Sequence, residues 1–244
     1  MSGDRSKART NTAARSKTAK SGASGSSRTA LRTPRRSPLP IAVALVAVLV
    51  VVALFAIYRA NTGTATGAAS DRYDVGSPGI GAVAPDFLLP NVTAPAGTGG
   101  TPATTRLSDY RGKTVLLYFH EGLGCQPCWD QIRDLQKDPA ALAAMGADQL
   151  LTITTGPQDL VAQKMHDDGL TEPALVDSDL RVSTQYQANR YGMMGSSSDG
   201  HTFVLVGPDG IIRWRADYGG PPRFTMYVAP EQLIADERAA RAGS

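Results

Sequence analysis

Six consecutive residues, Thr114-Val115-Leu116-Leu117-Tyr118-Phe119, form an unbroken apolar, β-rich run. No other stretch constrains the fold of the globular part as strongly. A strand that is apolar on both faces must be covered on both faces, as a central strand is in a sheet flanked by helices. After this run Trp129, Ile132 and Leu135 recur at helical spacing, and Gln149 to Thr154 repeats the buried-strand pattern. A further helix is expected from near Pro157, with Leu160, Val161 and Met165 on one face. Leu175 and Val176 suggest a short extended piece, and Asp177 or Ser178 would cap the next helix, through Val182 and Tyr186. Thr202 to Val206 and Ile211 to Arg215 flank Gly207-Pro208-Asp209-Gly210, a turn sequence suited to tight reversal. A last helix begins near Pro230 with Leu233 and Ile234. Upstream, Asp86-Phe87-Leu88-Leu89 reads as a short strand, and Thr93 to Thr105 as a Gly/Pro/Thr-rich loop. The order predicts an α/β sandwich with parallel central strands and an antiparallel edge.

Ahead of this body the chain changes character twice. Residues 1–36 carry ten Lys/Arg and one acid, Asp4, a net +9, whereas residues 59–244 carry fifteen bases and twenty-one acids, a net −6. The overall +3 therefore describes the tail, and a basic body built for nucleic acid is excluded. Between the two regimes lie eighteen residues, Ile41 to Tyr58, without a charged or strongly polar side chain. A helix of that length covers about 27 Å, close to the hydrocarbon core of about 30 Å. Arg32, Arg35 and Arg36 precede it and only Arg59 follows closely, so the N-terminus is expected in the cytoplasm and the body outside. The competing reading, a cleavable signal peptide ending near Ala65-Thr66-Gly67, fits less well with so long an apolar run and basic leader. The expected organisation is a disordered basic tail (1–37), a transmembrane helix (38–59), a flexible linker (60–80) and a globular domain (81–241).

The chain has two cysteines, both in Cys125-Gln126-Pro127-Cys128, after the first buried strand and at the start of the Trp129 helix. At a helix N-terminus the free N–H groups and the helix dipole stabilise a thiolate. The second cysteine, one turn on, can close a disulfide after the first has attacked. A structural disulfide would close too short a loop to stabilise the chain much. Haem attachment would need His where Trp129 stands, and a zinc finger would need two further ligands at suitable spacing. Dithiol redox chemistry is the expectation. Among the histidines, His166 is read as a solvated helix residue and His120 as a solvent-facing strand end.

Gly81-Ala82-Val83-Ala84-Pro85-Asp86-Phe87 resembles the opening signature of the alkyl hydroperoxide reductase and thiol-specific antioxidant (redoxin) family of the thioredoxin-like superfamily. Leu107-Ser108-Asp109-Tyr110-Arg111-Gly112-Lys113 with the strand after it is similar to that family's approach to its active site, and Thr202-Phe203-Val204-Leu205-Val206 with Asp209-Gly210 to its late hairpin. The resemblance implies a thioredoxin-like sandwich with a central mixed sheet, here preceded by one transmembrane helix. It implies Cys125 as attacking thiol and Cys128 as resolving thiol, with no cofactor. Implied partners are protein disulfides and an exchange partner, and membrane lipid would hold residues 38–59.

Two departures shape the alternatives. Peroxiredoxins resemble one another in a Pro-x-x-x-Thr/Ser-x-x-Cys stretch, where this chain has Tyr118 and Gly122, so a thiol peroxidase is the lower alternative. Thioredoxin-like reductases place a cis-proline before the late strand, where this chain has Asp199-Gly200-His201-Thr202. That segment resembles the membrane-anchored thioredoxin-fold copper chaperones, which implies a copper site of Cys125, Cys128 and His201. Those proteins space their cysteines by three residues rather than two.

Overall fold

The computed structural model describes residues 47–54, 71–96 and 103–243. The chain divides into two units, residues 1–61 and 62–244. In the first, residues 47–54 are helical and exposed. No helix among the described residues is long and apolar enough to cross a membrane. The rest of the expected transmembrane segment, the basic tail 1–37 and residues 55–70 lie outside the described residues.

The second unit holds a five-stranded mixed sheet. Its strands are β3 (Val115–His120), β4 (Gln149–Thr154), β5 (Ala174–Val176), β6 (Thr202–Val206) and β7 (Ile212–Asp217), in the spatial order β5-β4-β3-β6-β7. β3 runs parallel to β4 and β4 to β5, while β6 is antiparallel to both β3 and β7. β3 is central, with Leu117 paired to Leu151 on one side and Val204 on the other. Its alternate side chains feed two cores, as a pleat of period two requires. Leu116 and Tyr118 face a cluster with Trp129, Ile132, Leu135, Val161, Met165, Phe203, Trp214 and Leu233. Val115, Leu117 and Phe119 face a second cluster with Phe87, Leu89, Leu107, Val182 and Tyr186. All six β3 side chains are buried, which is why the run contains no polar alternation.

The first core is covered by α1 (Gln126–Lys137), α3 (Gln158–Asp167) and α5 (Pro230–Ala242), and the short α2 (Pro139–Ala144) follows α1 directly. Asp138 ends α1 and caps α2, its Oδ1 accepting the Ala141 N–H at 3.1 Å, and Pro139 occupies the first turn. The second core is covered by α4 (Arg181–Gln185) and by a two-stranded antiparallel sheet of β1 (Leu88–Pro90) and β2 (Thr104–Arg106).

Several sequence expectations shift. Thr104 and Thr105, assigned to a loop, pair with β1, where Leu89 enters the second core and the buried Thr105 Oγ1 accepts from Asn91 Nδ2 at 3.0 Å. Leu160 faces solvent, while Val161 and Met165 enter the core. Asp177 holds α4 from outside the cap position, its Oδ2 accepting from the N–H and Oγ of Ser183 at 2.7 and 2.6 Å. The folded unit also begins before residue 81. Tyr73 packs edge-on to Trp214, and Asp74 bridges Asp217 on the free edge of β7. Residues 73–80 therefore belong to the sandwich, where a tether had been expected. Asp217 explains much of this: it accepts from the Gly76 N–H, from Thr202 Oγ1 and from Arg215, an ion pair fully removed from solvent.

Candidate active site

The C-terminal end of β3 delivers the chain into a short turn, residues 122–124, and then into α1. Gly122 has a φ of +78°, and a Cβ there would meet Thr154 and Thr155, so only glycine fits. Both of its backbone polar groups are held. The N–H donates to His120 Nδ1 at 3.3 Å, and the carbonyl accepts from Trp129 Nε1 at 2.9 Å. The turn that presents the cysteines is thereby fixed to the strand before it and the helix after it.

Cys125 and Cys128 are joined as a disulfide, with Cα atoms 5.4 Å apart. Cys125 is the N-cap residue of α1, and its Sγ accepts the Cys128 N–H at 3.3 Å. Pro127 sits in the first turn, where its missing N–H costs nothing. On reduction, the same N–H and the helix dipole favour a thiolate at Cys125. The two sulfurs differ in access: Cys125 is 5% exposed and Cys128 not at all. Of the two, only Cys125 has any exposed surface.

Met226, from the segment between β7 and α5, closes over the pair and completes a small buried cluster with both cysteines. Sequence reasoning missed it, because nothing along the chain ties a methionine in a Gly/Pro-rich segment to residues 125 and 128. Glu121 was also missed. Its carboxylate accepts from the N–H groups of Met193 and Met194, and its carbonyl from Ser198 Oγ, so it ties the 193–198 loop beside the disulfide.

His120 and His201 are both fully buried, against the expectation of a solvent-facing His120. β3 runs on through residue 120, and Tyr118 and Trp129 enclose the ring. Tyr118 lies between the two histidines, and its hydroxyl shares a hydrogen bond with His201 Nδ1 at 2.9 Å. Burial lowers the pKa of both histidines to about 3, with His120 adding to the effect at His201, so both are neutral at ordinary pH. Burial first, and then Glu121, raise the Tyr118 hydroxyl well above its usual range. His166 is exposed, as expected.

Cys125 and Cys128 are thus brought together at the helix start. Among the described residues no group of three or more His, Cys, Asp or Glu is placed to hold a metal ion, and Cys125, Cys128 and His201 do not form such a set. The positions where peroxiredoxins carry Pro and Thr hold a buried Tyr118 already bonded to His201 and a Gly122 without a side chain. The residue before β6 is His201, not proline, and its N–H is already taken by the Tyr191 carbonyl at 2.7 Å.

Residues 80–215 match the AhpC/TSA family. The chain belongs to that family. It is 31% identical over 108 residues to the thiol-disulfide oxidoreductase ResA of Geobacillus kaustophilus, a match covering 44% of this chain and 56% of that protein. The chain thus spans little more than half the length of that relative. Among solved structures, the peroxidoxin BcpB of Mycobacterium tuberculosis superposes with a TM-score of 0.51 at 21% identity, over 66% of this chain and 96% of that one. The 2-Cys peroxiredoxin of Plasmodium vivax superposes at 0.52 and 19% identity, over 67% and 82%. At such identities these neighbours speak to the fold: it is the thioredoxin-like α/β sandwich with a mixed central sheet.

Proposed function

We propose that the chain is a membrane-anchored, extracytoplasmic thiol–disulfide oxidoreductase working through Cys125 and Cys128. The observation that carries this reading is the cysteine pair itself, bonded across the first turn of α1 with the more accessible sulfur at the N-cap. The similarity to a thiol-disulfide oxidoreductase supports it.

The geometry supports the following reaction. The Cys125 thiolate attacks one sulfur of a substrate disulfide, forming a mixed disulfide and expelling the other substrate sulfur as a thiolate, which takes up a proton. Cys128, one helical turn away, then attacks Cys125 Sγ, releasing the second substrate thiol and forming the Cys125–Cys128 disulfide. The substrate gains two electrons, and the pair loses them. Two external thiols restore the dithiol and leave as their own disulfide. The burial of Cys128 keeps outside reagents from competing for the resolving step.

Polypeptide disulfides suit the surroundings. Leu123, in the turn before Cys125, and Met194, against Gly124, are exposed, as is Phe224, two residues before Met226. Such side chains near the disulfide favour apolar segments of an unfolded or extended substrate. The charge asymmetry and the uncharged run 41–58 support an anchor with the body outside.

Insulin reduction with dithiothreitol as donor tests the reading: wild type accelerates precipitation of the free B chain, and Cys125→Ser does not. Equal rates for the two would overturn it. Alkaline extraction of membranes tests the anchor, which fails if the chain is released with peripheral proteins.

A further inference from the structure

Three sulfur-bearing side chains, Cys125, Cys128 and Met226, form a buried cluster separate from the two large cores, at 5, 0 and 8% exposure. The thioether is brought there by the backbone around it. Thr225 N–H donates to the Tyr218 carbonyl at 3.1 Å, and Val228 N–H donates to Gln131 Oε1 on α1 at 2.7 Å. Gly219 leaves room for the tip of the side chain, since a Cβ there would stand 3.0 Å from Met226 Cε. A second thioether lies at the rim, Met194 Sδ being 3.2 Å from where a Gly124 Cβ would sit. Leucine would fill the same space with the same apolar burial, so the chemistry specific to methionine here is its soft sulfur.

We infer that the reduced dithiol, together with the Met226 thioether, is a three-sulfur site for Cu(I). This rests on the proposal above that the pair cycles through a dithiol. Two external thiols supply the two electrons and two protons that open the disulfide, and leave as a disulfide. Cu(I) then displaces the thiol protons to solvent and bonds to the two thiolate sulfurs and to Met226 Sδ, with no change in its oxidation state. Two thiolates and a neutral thioether are soft donors suited to Cu(I), whereas zinc takes four ligands and accepts nitrogen and oxygen. The 5% exposure of Cys125 leaves an entry, and Met194 flanks it. His201 lies outside this site: its Nδ1 is engaged with Tyr118, and although its Nε2 has no hydrogen-bond partner, it forms no metal-holding group with the two cysteines among the described residues. Copper loading and disulfide formation use the same sulfurs and exclude one another.

The test uses the full-length chain in detergent, reduced and titrated anaerobically with Cu(I) against a colorimetric chelator, beside Met226→Leu. Wild type should take up one copper with three sulfur neighbours by X-ray absorption. Met226→Leu should leave two sulfurs and lower the affinity about tenfold or more, since losing even a group that only orients a ligand costs that much. Because the substitution could disturb folding, wild-type chain grown on selenomethionine provides a second arm, in which a copper–selenium distance appears in the copper spectrum. Two sulfurs plus a nitrogen in wild type, no copper–selenium signal, or unchanged affinity in Met226→Leu would each overturn the inference. Insulin reduction on the wild-type preparation judges the oxidoreductase reading separately, since its success alongside a failed copper assay removes only the copper site.

Discussion

Trp129 and Gly122 meet across the start of α1: the indole N–H donates to the Gly122 carbonyl at 2.9 Å, inside a fully buried environment. A helix residue thus holds the turn that precedes its own first residue. With His120 Nδ1 accepting the Gly122 N–H, both backbone polar groups of the glycine in the turn before Cys125 are occupied.

Trp129→Phe should therefore remove one of the two hydrogen bonds to the Gly122 carbonyl, leaving the Cys125 N–H at 3.0 Å, while keeping an aromatic ring in the core. The expected loss is about 0.5–1.5 kcal/mol, the net contribution of one hydrogen bond to an acceptor that keeps another partner. Urea unfolding followed by fluorescence of Trp214 measures it, and insulin turnover should slow in the same variant as the turn loosens.

Cys128→Ser should retain attack but lose resolution. Incubated with a disulfide-bearing polypeptide, it should accumulate a mixed disulfide at Cys125, visible on non-reducing gels and removed by dithiothreitol. Cys125→Ser should trap nothing, because Cys128 has no exposed surface from which to attack.

Acid should destabilise the fold through the two buried histidines. Their pKa is about 3 in the folded chain and about 6.5 when unfolded, so between these values the unfolded state binds more protons. Stability from this source is complete above pH 6.5 and is lost as pH falls toward 3. Asp199, buried with both carboxylate oxygens unpartnered, works the other way. Burial chiefly raises its pKa, so the folded state holds its proton and stability falls as pH rises above about 3.8. Two histidines against one carboxyl leave a net gain between pH 4 and 6.5. The urea midpoint should rise over that interval. Asp199→Asn should steepen the rise, and His201→Asn should flatten it.

Arg215 and Asp217 are the buried pair that anchors residues 76–78, through the Gly76 N–H and the Pro78 carbonyl. Asp217→Ala should cost about 3–5 kcal/mol, the usual penalty for leaving a buried cation unpaired. Limited proteolysis should then cut first within residues 71–80, where the early backbone pairs with β7.

Much of this molecule was written locally. The run at 114–119 needed cover on both faces whatever else the chain contained, and Cys125, Cys128 and Trp129 follow at the spacing of one helix start. Residues adjacent in sequence interact within a turn or strand, so their pattern alone decided the central strand, the first helix and the pairing of the two cysteines. Only the tertiary structure decided what surrounds them. Met226 and the 193–198 loop reach the disulfide because β6, β7 and the segment after them fold back beside β3. His120 and His201 are neutral and buried because the first helix lays Trp129 on one ring and β6, β7 and the segment after them bring Phe203 and Tyr218 to the other, and no local pattern separates a covered strand end from an exposed one. Tyr73 joins the core for the same reason. Its neighbours in sequence are those of a tether, and the free edge of β7 is what captures it.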